Sequence, residues 1–315
     1  MTSSRVASKE LVHHKSARRR STLKSRRILR DWLFILPQFS LYVLLTIVPF
    51  IVAIPILFTD MASFTDPTVA PVGLRNFTAL FTDPSVQADY LPALRRTLVF
   101  VVLNYTTVYI FGLTLALLMF EVGFRGGFFT IIYLPLMVSG LAVGYMAVML
   151  FSRETGTANL LLRQLGVIQT PIDIYSAEGT AFILPLLVGW RYAGYNMAIF
   201  LSGLLSIPSE TIEASIVDGA NYWQRLWKIY FPQMLPSFIL ATTMCLIGSF
   251  AVFDELVAMG ALYVNPEAKL LSILFFTYGF QVNRLAMGMT LAVITFVPLV
   301  VLGVFLQRLQ KRLQY

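Results

Sequence analysis

Residues 32–59 hold no charged side chain across 28 positions, and this run limits the possible folds before any other feature does. A helix of roughly 20 apolar residues crosses a bilayer, and lipid offers no partner to an open backbone amide, so the run predicts a spanning helix. Further runs follow at 97–120 and 128–152, both charge-free, and at 182–207, where Arg191 is the one charge. A shorter run at 236–253 and a last one at 286–306 complete six expected transmembrane helices. The segments 160–168 and 270–280 are apolar but too short to span, and read as interfacial or packed outer-loop pieces. Composition agrees: 57% of the 315 residues are hydrophobic, 13% are charged, and mean hydropathy is +0.74. A soluble domain of this length needs far more charge to cover its surface, which leaves an all-α integral membrane protein.

Residues 1–31 form a polar tail with ten basic residues against Glu10 and Asp31, a composition that predicts a mobile segment as far as about Lys24. The run behind it is longer than the roughly 7–15 residues of a signal-peptide core, so it reads as an uncleaved first helix anchored by the tail. With the N-terminus inside, the inner segments collect sixteen Lys and Arg: the ten of the tail, Arg125, Arg225, Lys228, Arg308, Lys311 and Arg312. The outer segments hold seven. That bias predicts an N-in, C-in topology in the lipid bilayer. The plan is then a basic cytoplasmic tail over 1–31, a six-helix transmembrane domain over 32–307, and a cytoplasmic C-terminal tail over 308–315. Topology also accounts for the net charge of +8, and no nucleic acid is called for.

Residues 210–236 interrupt two apolar runs and carry Glu210, Glu213, Asp218, Arg225 and Lys228, so they lie in water or against another protein. Ser209 is placed to N-cap a helix with Glu210 and Glu213 in its first turn, where acids suit the positive end of the helix dipole. Gly219 offers a break. Residues 220–230 then resume as a second short helix, with Tyr222, Trp223, Leu226, Trp227 and Tyr230 at helical spacing, until Pro232 and Pro236 stop it. Two short amphipathic helices bent at a glycine make a knob that can dock in a groove. An ordinary solvated loop fits the same pattern.

Glu213-Ala214-Ser215, Gly219 after three further residues, and Ile229-Tyr230-Phe231-Pro232 after nine more resemble the EAA loop of permease subunits in bacterial ABC importers. Ser215 stands for the family's second alanine and Phe231 for its leucine. Asp218-Gly219-Ala220 is similar to the carbohydrate-uptake branch, the permeases for maltose, glycerol phosphate and related solutes. Phe34-Ile35-Leu36-Pro37, Val72-Gly73-Leu74-Arg75-Asn76-Phe77, Gly194-Tyr195-Asn196-Met197, Gly203-Leu204-Leu205-Ser206-Ile207-Pro208 and Phe253-Asp254 extend the resemblance over most of 32–307. Two outer-side positions depart from it. Gly260-Ala261-Leu262-Tyr263 replaces the usual glycine-glycine-proline, and Arg96 stands where asparagine is common.

The resemblance implies that the loop 208–236, between helices 4 and 5, is a cytoplasmic coupling helix seated in a cleft of an ATPase. Its coupling residues are then Glu213, Ala214, Ser215, Asp218, Gly219, Ile229 and Pro232. The chain is expected to form half of a translocation pore that works by alternating access in the bacterial plasma membrane. The implied partners are a second homologous permease, an ABC ATPase dimer that holds the ATP and Mg, and an extracytoplasmic solute-binding protein. The implied solute is a sugar or a related compound.

No pattern supports catalysis by this chain. It has no G-x-x-x-x-G-K-[ST] cradle, no G-x-S-x-G elbow and no H-E-x-x-H pair. His13 and His14 lack Cys or acidic neighbours, and Cys245 stands alone in an apolar run, so neither a metal nor a disulfide is expected. The motor must come from a partner.

Arg191 lies nine residues inside the fourth run, roughly 14 Å along a helix. An intramembrane cation costs several kcal/mol and needs a cavity or a partner. Two placements fit: Arg191 lines the pathway and bonds solute hydroxyls or a phosphate, or the helix starts later and Arg191 snorkels to the outer headgroups. Tyr195 and Asn196 beside it supply an aromatic platform and an amide, which suit the faces and edges of a sugar. Aromatics near a span end also form interfacial belts. Arg191, Tyr195 and Asn196 are thus the candidate substrate-pathway residues. Asn104 and Tyr105 read as helix–helix hydrogen bonds. Asp254 and Glu255 read as solvated or ion-paired carboxylates at the outer edge of the fifth run.

The competing reading is an ion-coupled secondary transporter that works without an ATPase. It predicts charged or broken helices at the midplane and an internal repeat, neither of which is clear in the sequence. A membrane-bound enzyme or scaffold has no catalytic constellation behind it.

Overall fold

The structure, a computed structural model, describes residues 31–66, 69–121 and 125–313. Apart from Asp31, the expected basic tail lies outside these residues. Among them the only extended pairing is an isolated bridge between Thr59 and Pro71, and the rest of the regular structure is helical. The chain divides into two units, 1–58 and 59–315. The first holds α1 (Asp31–Ile56), an apolar helix with no buried side chain. It contains a π-helical turn at Val43–Ile47, just before Pro49, where the missing amide hydrogen needs slack in the hydrogen-bond ladder.

The second unit opens with α2 (Arg75–Thr82) and α3 (Pro84–Glu121), a helix of 38 residues. Pro84 starts α3, and the Asp83 side chain caps it by accepting from the Ser85 amide at 2.9 Å. The hydroxyl and amide of Ser85 hold the Asp83 carboxyl below the usual carboxylate range.

Next come α4 (Arg125–Tyr133), a 3-10 turn at Leu134–Met137, and α5 (Gly140–Phe151). This region differs from expectation. The run 128–152 is not one straight helix: Gly126–Met137 and Gly140–Phe151 meet at 87°. Pro135 tightens the first piece into the 3-10 turn, Val138 is extended, and the Ser139 hydroxyl caps the second piece by accepting from the Ala142 amide at 3.2 Å. Local proline and capping chemistry therefore breaks a run whose uniform hydrophobicity gives no sign of it.

After α6 (Thr157–Gln164), the 29-residue α7 (Ala177–Leu205) is long enough to cross a bilayer. Arg191 and Asn196 keep its hydropathy below that of the other long helices. Two short helices, α8 (Ser209–Val217) and α9 (222–233), lead into α10 (Leu235–Ala251). The fifth apolar span does not stop at 253. It breaks at the extended Val252 and continues through α11 (Asp254–Ala258). The short helix α12 (Leu271–Gln281) buries Leu271, Leu274 and Tyr278 against α3 and α13 (Leu285–Leu313), so this segment is the packed piece among the two expectations for it. Among the described residues, four helices are long and apolar enough to span, or five with the bent pair counted as one.

The bend of the α4–α5 pair is held by close backbone approach. A Cβ on Gly144 would lie 2.4 Å from the Glu255 carbonyl oxygen, and one on Gly140 would lie 2.7 Å from the Asp254 Cβ. Only glycine lets α5 rest on α11 at this distance. Gly144→Ala is therefore expected to destabilise the protein by about 1–3 kcal/mol through overpacking. Gly303→Ala, in α13 with open space around it, is expected to stabilise by about 0.5–1 kcal/mol. Thermal midpoints in one detergent check the opposite signs.

Candidate functional site

The knob departs locally from the expected pattern. Helix α8 starts at Ser209 itself, and Pro208 occupies the N-cap position without a side-chain cap, so Ser209 does not serve as one. Proline fixes the entry angle there and presents no amide that needs satisfying. Glu210 lies in the first turn as expected, whereas Glu213 falls one turn further on.

The helix ends in two reverse hydrogen bonds. The Ala220 amide donates to the Ser215 carbonyl at 2.9 Å, and the Gly219 amide donates to the Ile216 carbonyl at 3.0 Å. Gly219 sits at φ +77°, the left-handed residue that this motif requires. The chain then restarts with a reciprocal cap. Asn221 Oδ1 accepts from the Gln224 amide at 2.9 Å, and Gln224 Oε1 accepts from the Asn221 amide at 2.8 Å. Arg225 donates back to the Ala220 carbonyl at 3.2 Å and ties the second helix to the turn. Pro232 does not end α9: a π-helical turn at Leu226–Tyr230 precedes it, and the helix runs on to Gln233. The slack in that turn accommodates the proline.

One side of the knob is seated and the other is bare. Leu226, Tyr230 and Met234 are buried with Ile207, Met119, Phe200 and Leu204, so the knob packs on α3 and α7. Ser215 is buried and donates to the Ile212 carbonyl at 2.6 Å. Burial and the Glu121 carboxylate push the Tyr222 hydroxyl above its ordinary pKa and keep it neutral. Glu210, Glu213, Ala214 and Val217 line the outer face of α8, and Trp223 and Trp227 stand exposed on α9. Val217 is 87% exposed. Of the expected coupling residues, Glu213, Ala214, Asp218, Gly219 and Pro232 are exposed, Ile229 is half-buried, and Ser215 belongs to the seat.

A second feature is a cleft of about 470 Å³ between α3, α7, α10 and α11. Arg191, Tyr195 and Asn196 all line it, together with Asn104, Tyr192, Asp254 and Glu255. Arg191 does not stand alone. Its guanidinium donates to Glu255 Oε1 at 2.6 Å, and the two side chains are only 16% and 6% exposed. It also lies 5.2 Å from the Tyr192 ring centroid. Asn196 is buried and donates to the Tyr192 carbonyl of its own helix at 2.9 Å. Asn104 and Tyr105 make the interhelical bonds expected of them: Asn104 donates to Ser249 Oγ at 2.9 Å, and the Tyr105 hydroxyl lies 3.4 Å from Thr242 Oγ1. Asn104 also faces the cleft, a second role that sequence reasoning missed.

The other omission is Glu255 as the counter-ion of Arg191. The signal was present. Apolar sequence resumes at Leu256-Val257-Ala258-Met259, so Glu255 lies within a hydrophobic segment and not at its edge, and a buried cation demands such an acid. Arg96, the outer-side departure, is also paired, donating to Glu267 Oε2 at 2.9 Å. The broken α4–α5 pair and the buried ion pair are features that the secondary-transporter reading predicted, so those criteria do not separate the two classes of transporter.

Broken apolar helices, a polar cleft within them and an exposed amphipathic knob define an integral membrane transport subunit. Residues 108–314 match the family described as binding-protein-dependent transport system inner membrane component, and the chain belongs to that family. It is 30% identical to the probable starch degradation products transport system permease protein AmyD of Thermoanaerobacterium thermosulfurigenes, over 87% of this chain and 91% of that one. It is 26% identical to the arabinooligosaccharides transport system permease protein AraP of Halalkalibacterium halodurans, over 93% and 91%. Its fold matches a chain of a bacterial ABC transporter involved in the import of the acidic polysaccharide alginate, with a TM-score of 0.74, 24% identity, and coverage of 91% and 98%. The protein is thus a multi-pass permease of a binding-protein-dependent ABC importer and a transport subunit, not an enzyme.

Glu255→Ala leaves Arg191 buried without its partner and is expected to lower stability by about 3–5 kcal/mol. Joint replacement, Arg191→Met with Glu255→Leu, should recover most of that loss, as read by thermal unfolding in detergent. A single mutant as stable as the parent would show that the pair contributes nothing.

Proposed function

We propose that the chain is one half of the translocation pore of a sugar importer in the bacterial plasma membrane, driven through the knob at 209–233. Six spans are assigned: α1, α3, the broken α4–α5 pair, α7, the interrupted α10–α11 segment and α13. Both termini face the cytoplasm, which the excess of inner cations supports. The knob then faces an ABC ATPase dimer that binds ATP and Mg. A second, homologous permease completes the pore, and an extracytoplasmic binding protein delivers the solute. Permease relatives named for starch products and arabinooligosaccharides support a saccharide as that solute.

The observation that carries this reading is continuity. The knob leaves α7 at Leu205 and joins α10 at Leu235, and these two helices line the cleft. Leu205 lies 14 helical steps beyond Arg191, roughly 21 Å. Motion of the seated knob therefore reaches the cleft through rigid elements. Closure of the ATPases would shift the knob, rock α7 and α10, and move the cleft opening from one side of the membrane to the other. Glu213, Ala214, Asp218 and Gly219 would meet the ATPase, while Ser215, Ile229 and Pro232 would hold the shape behind them.

Gly219 gives the test. A β-branched residue at a left-handed position costs roughly 1–2 kcal/mol, and a Cβ there meets no neighbour, so the effect is on backbone shape alone. In proteoliposomes holding the whole complex, Gly219→Val is expected to cut ATP-driven uptake on the order of tenfold while insertion is normal. Gly219→Asn, which tolerates this conformation, should keep most of it. Normal uptake by Gly219→Val would overturn the coupling role.

A further inference from the structure

Helices α7 and α10 run directly into the knob, whereas α3 lines the same cleft through Asn104 and Val108 without being joined to the knob in the chain. Displacement of the knob therefore reaches α3 through packed side chains, and a line of rings is placed to carry it. Successive ring centroids lie 4.8 Å apart from the exposed Trp227 to Phe231 on α9, and 5.6 Å from Phe231 to Phe238 on α10. The next steps are 5.8 Å from Phe238 to Tyr109 on α3, and 4.3 Å from Tyr109 to Tyr105. Tyr105 adjoins Asn104 at the cleft.

The line meets α3 at an irregularity. A π-helical turn occupies Tyr109–Leu113. The turns at Val43–Ile47 and Leu226–Tyr230 each precede a proline, but residues 109–121 hold none, so no missing amide accounts for this one. Contacts with two neighbouring helices hold it instead. The Tyr109 hydroxyl donates to the Phe238 carbonyl at 3.1 Å and lies 2.8 Å from Thr242 Oγ1, both on α10. Gly112 approaches α7 so closely that a Cβ on it would stand 2.8 Å from Asn196 Cβ. A π-turn carries one residue more than the α-helix it interrupts, so the helix can bend there by redistributing its hydrogen bonds. Helix α3 is thus clamped at this turn by the two helices that continue into the knob.

We infer that the π-turn at Tyr109–Leu113 is the joint through which knob displacement enters α3, and that Tyr109 positions it. Phe231 and Phe238 carry the displacement, the Tyr109 hydroxyl ties α3 to α10 at the turn, and the cleft half of α3 swings about that point. The inference rests on the importer reading and deepens it, since it adds a third wall of the cleft to the moving parts. Tyr109 is not among the residues that line the cleft, so its role is positional.

The test uses the whole complex in proteoliposomes with its binding protein, and reads ATP hydrolysed per molecule of labelled maltotriose or arabinotriose taken up. Tyr109→Phe keeps the ring and removes the anchor. It is expected to hydrolyse ATP within about twofold of the parent while uptake falls on the order of tenfold, as loss of one buried hydrogen bond permits, so the ratio rises. Deleting Ile110, an exposed residue, removes the extra residue of the turn and lets α3 run on as a regular helix. That complex should likewise hydrolyse ATP with little transport, and Tyr109→Phe alone decides if the shortened chain does not assemble. The parental ratio in either assembled variant, or an equal loss of both activities in Tyr109→Phe, would overturn the joint and leave the importer reading standing. A parent complex that takes up neither sugar with ATP would remove the sugar-importer reading, and this role with it.

Discussion

The contact between Arg191 and Glu255 sits where two interrupted helical segments meet, and the burial of each charge depends on the other. Open backbone inside a membrane is tolerated only where protein covers it or a cavity receives it. The interruptions at Val138–Ser139 and at Val252–Phe253 meet this condition together, because α5 begins against α11 through Gly140 and Gly144. The ion pair lies at the same meeting point. The glycines come first: without them the helices could not approach, and without that approach Glu255 would not be shielded.

Much of this architecture is legible in the sequence, for physical reasons that differ by element. Apolar length alone marks four of the helices as able to span, since a bilayer imposes that length. The knob is legible because charge interrupts hydrophobicity there, and because Gly219 and the spacing to Pro232 mark a specific turn. The 87° bend leaves no mark in the hydrophobicity of its run, and its signals are Pro135 and Ser139-Gly140 alone. The pairing of Arg191 with Glu255 spans 64 residues, and only the resumption of apolar sequence after Glu255 hints at it. Helix α8 shows the limits of local rules: a serine suited to capping stands next to a proline that takes the position instead.

The knob is a compact unit because hydrogen bonds close its turn from both sides. Reverse hydrogen bonds close α8, a reciprocal cap opens α9, and Arg225 bridges the two. Buried Leu226, Tyr230 and Met234 fix this unit to α7 and α3, while Val217, Trp223 and Trp227 remain bare. An apolar exposed face on a rigid, otherwise satisfied element fits a protein partner better than water.

Affinity capture of the intact chain from bacterial membranes in mild detergent, with identification of the co-purifying proteins, tests the central claim most directly. Recovery of an ABC ATPase together with a second permease, lost when Glu213 and Gly219 are both replaced, is the predicted result. Recovery of the chain alone, with solute uptake indifferent to ATP, would contradict it.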